Sequence, residues 1–163
     1  METVSYPKVT GLHPKVVDTL EEVLNEAKAR GLNVSLHSGL RTAEEQDKLY
    51  ALGRTIVNPD GKSADKPMGN IVTNAQAFSS WHNFGLALDI VFKDSKGNFT
   101  WNKSLEEWAQ LGVVGKMFGF QWGGDWTKFP DYPHFQMLGK IESISQAKKI
   151  LFEQGLDKLW ALI

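Results

Sequence analysis

The sequence predicts an α+β domain with a small, mainly antiparallel sheet, and three observations support this fold class. Apolar residues recur at three- and four-residue spacing in some segments and alternate with polar residues in others, so both helices and strands are expected. The strand segments are short and separated by turn residues at hairpin spacing. Strands and helices do not alternate regularly, which argues against the repeated strand–helix units of a parallel sheet. We therefore expect helices packed on one side of the sheet.

The first predicted elements are a helix, a strand and a second helix. The first helix opens at Pro14, because proline suits a first helical turn, and a glycine ends it. Residues 33–39 alternate apolar and polar side chains, which indicates a half-buried strand. Thr42 and Glu45 have capping-box spacing and predict a second helix that ends near residue 52.

A long loop and a hairpin are predicted next. Residues 54–78 carry little periodicity and contain two clusters of turn residues, at 58–61 and 67–70. Loops of this length often form the rims of functional sites. A strand over 86–92 then places alternate apolar residues on one face, and residues 99–101 return as its partner.

The last third of the chain is predicted to begin with a helix over residues 104–118. Ser104 and Glu107 form a capping box, while Gly112 and Gly115 are potential breaks that would divide this helix in two.

Two short strands and a final helix complete the prediction. The strands cover residues 120–122 and 134–137 and flank a loop rich in Gly, Trp, Pro and Asp, and the final amphipathic helix covers 145–154.

Composition excludes several classes of function. The net charge of −1 gives no field that would attract nucleic acid or anionic lipid. The absence of cysteine excludes disulfides and thiolate zinc sites, which leaves His, Asp and Glu as metal ligands. The first residues lack the pattern of a signal peptide and no apolar run reaches membrane-spanning length. We therefore expect synthesis in the cytoplasm without a signal peptide.

Two distant segments carry the side chains of a possible metal centre. One contains His82 and Asp89, and the other contains Asp131 and His134. His82 and Asp89 are seven positions apart, so a straight strand would place them on opposite faces. They can share a metal only if the chain bends, and Gly85 is a natural place for that bend.

Two histidines and one carboxylate, with a fourth position open, form the pattern of a catalytic zinc site. Zinc would acidify a bound water, Asp131 would take its proton, and Arg41 is the candidate cation at the developing oxyanion. A buried, hydrogen-bonded cluster without metal would use the same residues, so spacing alone leaves both interpretations open. Asp125 is a rival base, although its Gly-Gly-Asp context is typical of a turn.

The sequence resembles the peptidoglycan-cleaving zinc peptidases. This family includes D-alanyl-D-alanine carboxypeptidases and dipeptidases and phage or bacterial L-alanyl-D-glutamate endopeptidases, and it is related to the hedgehog domain and the lysostaphin-type peptidases. The resemblance extends from about residue 38 to 137 and is carried by three motifs: Ser38-Gly39-x-Arg41, Ser80-x-His82-x-x-Gly85-x-Ala87-x-Asp89, and Asp131-x-x-His134.

The resemblance implies Zn2+ as the cofactor, in a cleft of the fold. It implies the following roles: zinc ligands His82, Asp89 and His134; catalytic acid/base Asp131; an arginine that steadies the substrate carbonyl or the transition state, Arg41; and a substrate-contacting serine, Ser80.

The resemblance also implies a reaction. Aspartate at position 131 and the sequence of residues 40–54 look more like the endopeptidase branch, so we expect hydrolysis of the L-alanyl-D-glutamate bond of the peptidoglycan stem peptide. The alternatives are a D-alanyl-D-alanine carboxypeptidase or dipeptidase and, in another class, a non-catalytic zinc-bearing binding module.

The expected organisation is one catalytic domain over residues 1–163, without a separate cell-wall-binding domain. We expect a monomer that acts on the cell wall or in the periplasm after release, with no nucleic-acid partner and no stable membrane insertion.

Overall fold

A computed structural model describes residues 8–58 and 68–163, which form an antiparallel sheet with flanking helices. This confirms the α+β fold class. The helices are α1 (Pro14–Ala29), α2 (Ala43–Ala51), α3 (Leu105–Met117), α4 (Ile144–Gln154) and α5 (Leu156–Trp160). The strands are β1 (Val34–Ser38), β2 (Ala87–Lys93), β3 (Phe99–Thr100), β4 (Gln121–Trp122) and β5 (His134–Gln136). Two short 3-10 helices cover Trp81–Phe84 and Gly123–Asp125.

Strand β2 lies at the centre of the sheet. The strand order is β1-β2-β5-β4, and β3 pairs with β2 further along, with every pairing antiparallel. Leu88, Ile90 and Phe92 point into the main core, as the alternation predicts. Leu86 lies before the strand and joins a second apolar cluster instead.

Helices α1 and α3 pack together and contribute buried residues to the main core. Their predicted starts are confirmed. His13 caps α1, with its Nδ1 accepting from the Lys15 N–H, and the Ser104–Glu107 capping box at α3 is formed in both directions. These bonds satisfy amide groups that a helix start leaves unpaired.

Helix α3 is continuous, so the expected break at Gly112 or Gly115 is wrong. Both glycines are buried on the inner face of the helix. A Cβ on Gly112 would overlap the Trp122 ring, and a Cβ on Gly115 would overlap the Phe135 ring. These glycines therefore let the helix approach β4 and β5 closely, and packing outweighs their low helix propensity.

Helices α4 and α5 pack against the segment that leads into β2. The second cluster comprises Phe84, Leu86, Ile141, Ala147 and Leu159. In addition, the Trp160 indole N–H donates to the Phe84 carbonyl at 2.8 Å. Helix α4 confirms the predicted final helix, whereas α5 was not predicted. Together they fix the 3-10 helix that carries His82.

The predicted loop over 54–78 has no strand or helix between residues 68 and 78, while its turn clusters at 58–61 and 67–70 lie partly outside the described residues. Within 8–58 and 68–163, no helix is both long enough and apolar enough to cross a membrane.

Candidate metal centre

His82 is placed by a tight turn before β2. It lies in the 3-10 helix Trp81–Phe84, where the Ser80 hydroxyl accepts from the His82 backbone N–H at 3.3 Å. Gly85 ends this helix in the left-handed region, with φ of 71°. A Cβ there would also overlap the Gly11 carbonyl. The predicted bend at Gly85 is therefore confirmed. Because His82 lies before the strand, its odd spacing from Asp89 does not place the two side chains on opposite faces.

Strand register brings Asp89 and His134 together. They are directly opposed in the β2–β5 pair, so their side chains lie on one face. On the other edge, a register shift between Leu36 and Ser38 places Ser38 opposite Asp89. This bulge turns the Ser38 hydroxyl toward the same face, where it donates to Asp89 Oδ2 at 2.7 Å.

Three ligand atoms converge at this point. His82 Nε2 lies 3.2 Å from His134 Nδ1 and 3.5 Å from Asp89 Oδ1. His134 Nδ1 and Asp89 Oδ1 are 3.8 Å apart. A tetrahedral zinc site with bonds of about 2.0–2.2 Å separates its ligand atoms by about 3.3–3.6 Å. The cluster therefore has dimensions that could hold a metal ion.

The far side of each imidazole is held by a hydrogen-bond acceptor. His82 Nδ1 donates to the Gly39 carbonyl at 2.9 Å, and His134 Nε2 donates to Gln136 Oε1 at 2.8 Å. These bonds select the tautomers in which His82 Nε2 and His134 Nδ1 carry lone pairs. Two lone pairs and a carboxylate oxygen thus face one another, and a cation resolves their mutual repulsion.

The charges of the cluster suit a metal. Burial alone would raise the pKa of the Asp89 carboxyl, but His82, His134 and the Ser38 hydroxyl together hold it well below its usual range. Burial and the neighbouring His82 lower the pKa of His134 to about 4. Asp89 is therefore an anion and His134 is neutral, which are the forms that bind metals.

Asp131 lies beside the cluster on the loop before β5. Its backbone N–H donates to the Gly123 carbonyl at 2.9 Å, and its carbonyl accepts from the His134 N–H at 3.2 Å. Its side chain lines the cavity. Burial in the cleft and the Asp89 charge raise the pKa of Asp131 to about 6, against the opposing effects of His82 and Arg41.

Arg41 follows β1 and reaches the same cavity. Its Nη2 lies 4.0 Å from Asp89 Oδ2, and its Nη1 donates to Gln46 Oε1 at 2.9 Å. Gln46 is completely buried and donates to the Ala75 carbonyl at 2.6 Å. The amide therefore ties the guanidinium to the loop wall of the cavity.

The remaining sequence-predicted residues divide into two groups. Ser80 lines the cavity, although its hydroxyl also caps the 3-10 helix. Asp125 does not line the cavity and instead pairs with Lys116 at 3.0 Å on the surface. This favours Asp131 over Asp125 as the carboxylate that works beside the metal.

Sequence reasoning missed Gln46 and Gln136. Gln136 lies two residues beyond His134 on the same face of β5, and this spacing was the only signal in the sequence that could have found it. Gln46 carries no such signal, because its contact with Arg41 depends on how α2 packs.

The cluster opens into a cavity of about 750 Å³. Its walls include residues of the loop at 72–75, and the Trp126 ring lies 5.0 Å from the His134 ring. A volume of this size accommodates a peptide-sized ligand. The site can therefore bring a substrate to a metal with a carboxylate and a guanidinium beside it.

Comparisons with known proteins agree with this geometry. A family model described as D-alanyl-D-alanine carboxypeptidase matches residues 73–137. The chain is 34% identical over 139 residues to the peptidoglycan L-alanyl-D-glutamate endopeptidase CwlK of Bacillus subtilis (strain 168), a match covering 81% of this chain and 77% of that protein. It is 28% identical to the L-alanyl-D-glutamate peptidase of Listeria phage A118, covering 78% of this chain but only 42% of that protein.

The fold has relatives among solved structures. The L-Ala D-Glu endopeptidase ChiX of Serratia marcescens superposes with a TM-score of 0.58 at 22% identity, covering 84% of this chain and 88% of that one. The chain thus belongs to the family of peptidoglycan zinc peptidases that contains the D-alanyl-D-alanine carboxypeptidases and the L-alanyl-D-glutamate endopeptidases.

Proposed function

We propose that this chain is a zinc-dependent endopeptidase that hydrolyses the L-alanyl-D-glutamate bond of the peptidoglycan stem peptide. The convergence of two lone-pair nitrogens and the Asp89 carboxylate, with Asp131 and Arg41 in the same cavity, is the observation that carries the proposal. The choice of bond rests on the similarity to CwlK, which is 34% identical.

His82, Asp89 and His134 would hold the zinc ion. The bound ion supplies a Lewis acid that acidifies water and polarises the scissile carbonyl. The donor set fits zinc, because imidazole and carboxylate ligands in a three-residue site leave a position open for chemistry.

Asp131 and Arg41 would carry out the remaining steps. The Asp131 carboxylate takes a proton from the attacking water and gives it to the nitrogen of the leaving amine. The Arg41 guanidinium, steadied by Gln46, donates hydrogen bonds to the oxygen on which negative charge develops. Ser80 would contact the substrate at the rim of the cavity.

Two alternatives predict different outcomes on cell walls. A D-alanyl-D-alanine carboxypeptidase is favoured by the description of the matching family model, and it would release free D-alanine. A non-catalytic zinc-bearing module would bind cell wall without cleaving it, and Asp131 and Arg41 argue against it because a purely structural site needs neither residue.

Digestion of purified cell walls distinguishes these functions. The zinc-loaded protein should create new amino-terminal glutamate ends, a chelator should stop their release, and added zinc should restore it. Free D-alanine without new glutamate ends would instead identify a carboxypeptidase. Unchanged walls after incubation with zinc-loaded protein would exclude both enzymes.

We further propose that residues 1–163 form one catalytic domain that acts on the cell wall. The relative CwlK is named for its action on peptidoglycan, which supports this site of action. The monomeric state stays a prediction, and sedimentation of the purified protein measures it.

A further inference from the structure

The cavity continues past the metal cluster to a pair of aromatic rings. His37 and Trp101 line it there, with ring centroids 5.2 Å apart, and we call these two side chains the aromatic shelf. Trp101 is 52% exposed, so about half of its surface is open to a ligand in the cavity.

Strand register fixes where the shelf lies. Asp89 and Val91 are on the same face of β2, and at about 3.3 Å per residue they are about 7 Å apart. Phe92 pairs with Thr100, so Trp101, the next residue, lies beside Val91. The shelf therefore begins beside Val91, the next residue after the proposed metal ligand Asp89 on this face of β2.

The cavity's cation lies on the other side of the metal cluster. β1 runs antiparallel to β2, so the chain beyond Ser38 leads away from Val91 toward Arg41. Among the described residues, Arg41 is the one lysine or arginine that lines the cavity, and Thr73 and Ser80 line it as well. Asp89 thus lies between the Arg41 side of the cavity and the aromatic shelf.

A cation on one side and aromatic rings on the other match the two sides of the proposed scissile bond. This inference rests on the proposed function. In peptidoglycan the L-alanine is joined to the lactyl group of N-acetylmuramic acid, so a sugar lies one residue from the bond. On the other side, the D-glutamate continues into a carboxylate-bearing peptide. Carboxylates suit the Arg41 side, whereas the C–H faces of a pyranose ring pack on aromatic rings.

We propose that the aromatic shelf binds the N-acetylmuramyl sugar that carries the stem peptide, and so makes the enzyme selective for sugar-linked peptide over free peptide. Ring contacts within the protein support the shelf. His37 packs edge-on against both Phe99, at 4.9 Å, and Trp101. Side chains that already make such contacts lose less conformational entropy when a ligand binds.

The test compares two substrates that differ only in the sugar: a free stem peptide beginning L-alanyl-D-glutamate, and the same peptide carrying N-acetylmuramic acid. The native protein should have the higher kcat/KM on the sugar-linked peptide. Trp101→Leu should lower that value about threefold to tenfold, the size of an aromatic packing contact, and should lower the value on the free peptide by a smaller factor. Trp101→Phe should restore most of the loss.

Phe152→Leu is the matched control, because Phe152 is 60% exposed on α4 and does not line the cavity. It should change neither value. An equal loss on both substrates in Trp101→Leu, or no loss on either, would overturn the shelf while leaving the proposed function intact.

A binding measurement tests the shelf without any variant and without turnover. N-acetylmuramyl-L-alanine should bind the native protein more tightly than N-acetyl-L-alanine and should shift the NMR signal of the Trp101 indole N–H. Equal binding of the two, with that signal unmoved, would refute the proposal. If neither substrate is cleaved at the L-alanyl-D-glutamate bond, the proposed function fails. The binding measurement alone then shows whether the aromatic shelf binds the sugar.

Discussion

Replacing Gln136 with leucine should weaken metal binding through His134. Gln136 Oε1 accepts the His134 Nε2 proton at 2.8 Å, and the glutamine is only 5% exposed, so water cannot easily take its place. Loss of a hydrogen-bond partner of a ligating histidine typically lowers metal affinity about 10- to 100-fold. That range equals about 1.4–2.7 kcal/mol, which matches the cost of about 1–3 kcal/mol for an unsatisfied buried donor.

The assay is a titration of apoprotein with zinc in competition with a chelating dye. Gln121→Leu is the control, because it removes only the partner of the far amide of Gln136, 3.0 Å away. It should leave affinity within about threefold of the native value. Gln136→Glu should also retain zinc, since a carboxylate still accepts from His134. Unchanged affinity in Gln136→Leu, or an equal loss in Gln121→Leu, would refute the argument.

Three further predictions concern turnover and stability. Gln46→Leu should lower kcat by about tenfold without changing zinc affinity, because it removes the hydrogen bond that holds the Arg41 guanidinium and touches no proposed zinc ligand. A fall in zinc content with unchanged kcat would contradict this. Gly115→Ala should lower the free energy of unfolding, measured by urea denaturation, by about 1–2 kcal/mol, because overlap with the Phe135 ring outweighs the gain in helix propensity. Helix propensity alone predicts a higher free energy of unfolding, so an increase would contradict this reasoning. With free zinc at about 100 times its dissociation constant, removal of the zinc should lower the melting temperature of the protein by about 5–10 °C. Scanning calorimetry that shows no shift would argue against a zinc site in the folded state.

Local signals in the sequence predicted most of the elements. Helices α1 and α3 begin where their capping residues indicated, and β1 lies where apolar and polar residues alternate. The odd spacing of His82 and Asp89 predicted a bend that the left-handed Gly85 provides. These features depend on near neighbours in the chain, so one sequence contains the information.

Features that depend on distant contacts were not predictable. Gly115 looked like a helix breaker because the sequence does not show that the Phe135 ring lies against it. The bulge that turns Ser38 toward Asp89 is a property of strand pairing, not of either strand alone. The contact of Gln46 with Arg41 likewise requires the tertiary packing of α2.

His82, Asp89 and His134 are assigned to metal binding and Asp131 to proton transfer, and the Asp131→Asn variant separates the two roles. Its bound zinc and its turnover of purified cell walls should be measured on the same preparation, beside His82→Ala. Asp131→Asn should keep one zinc ion per chain and lose about 100-fold or more in turnover, while His82→Ala should lose the zinc itself. Loss of zinc from Asp131→Asn, or turnover near the native rate with zinc retained, would contradict this assignment.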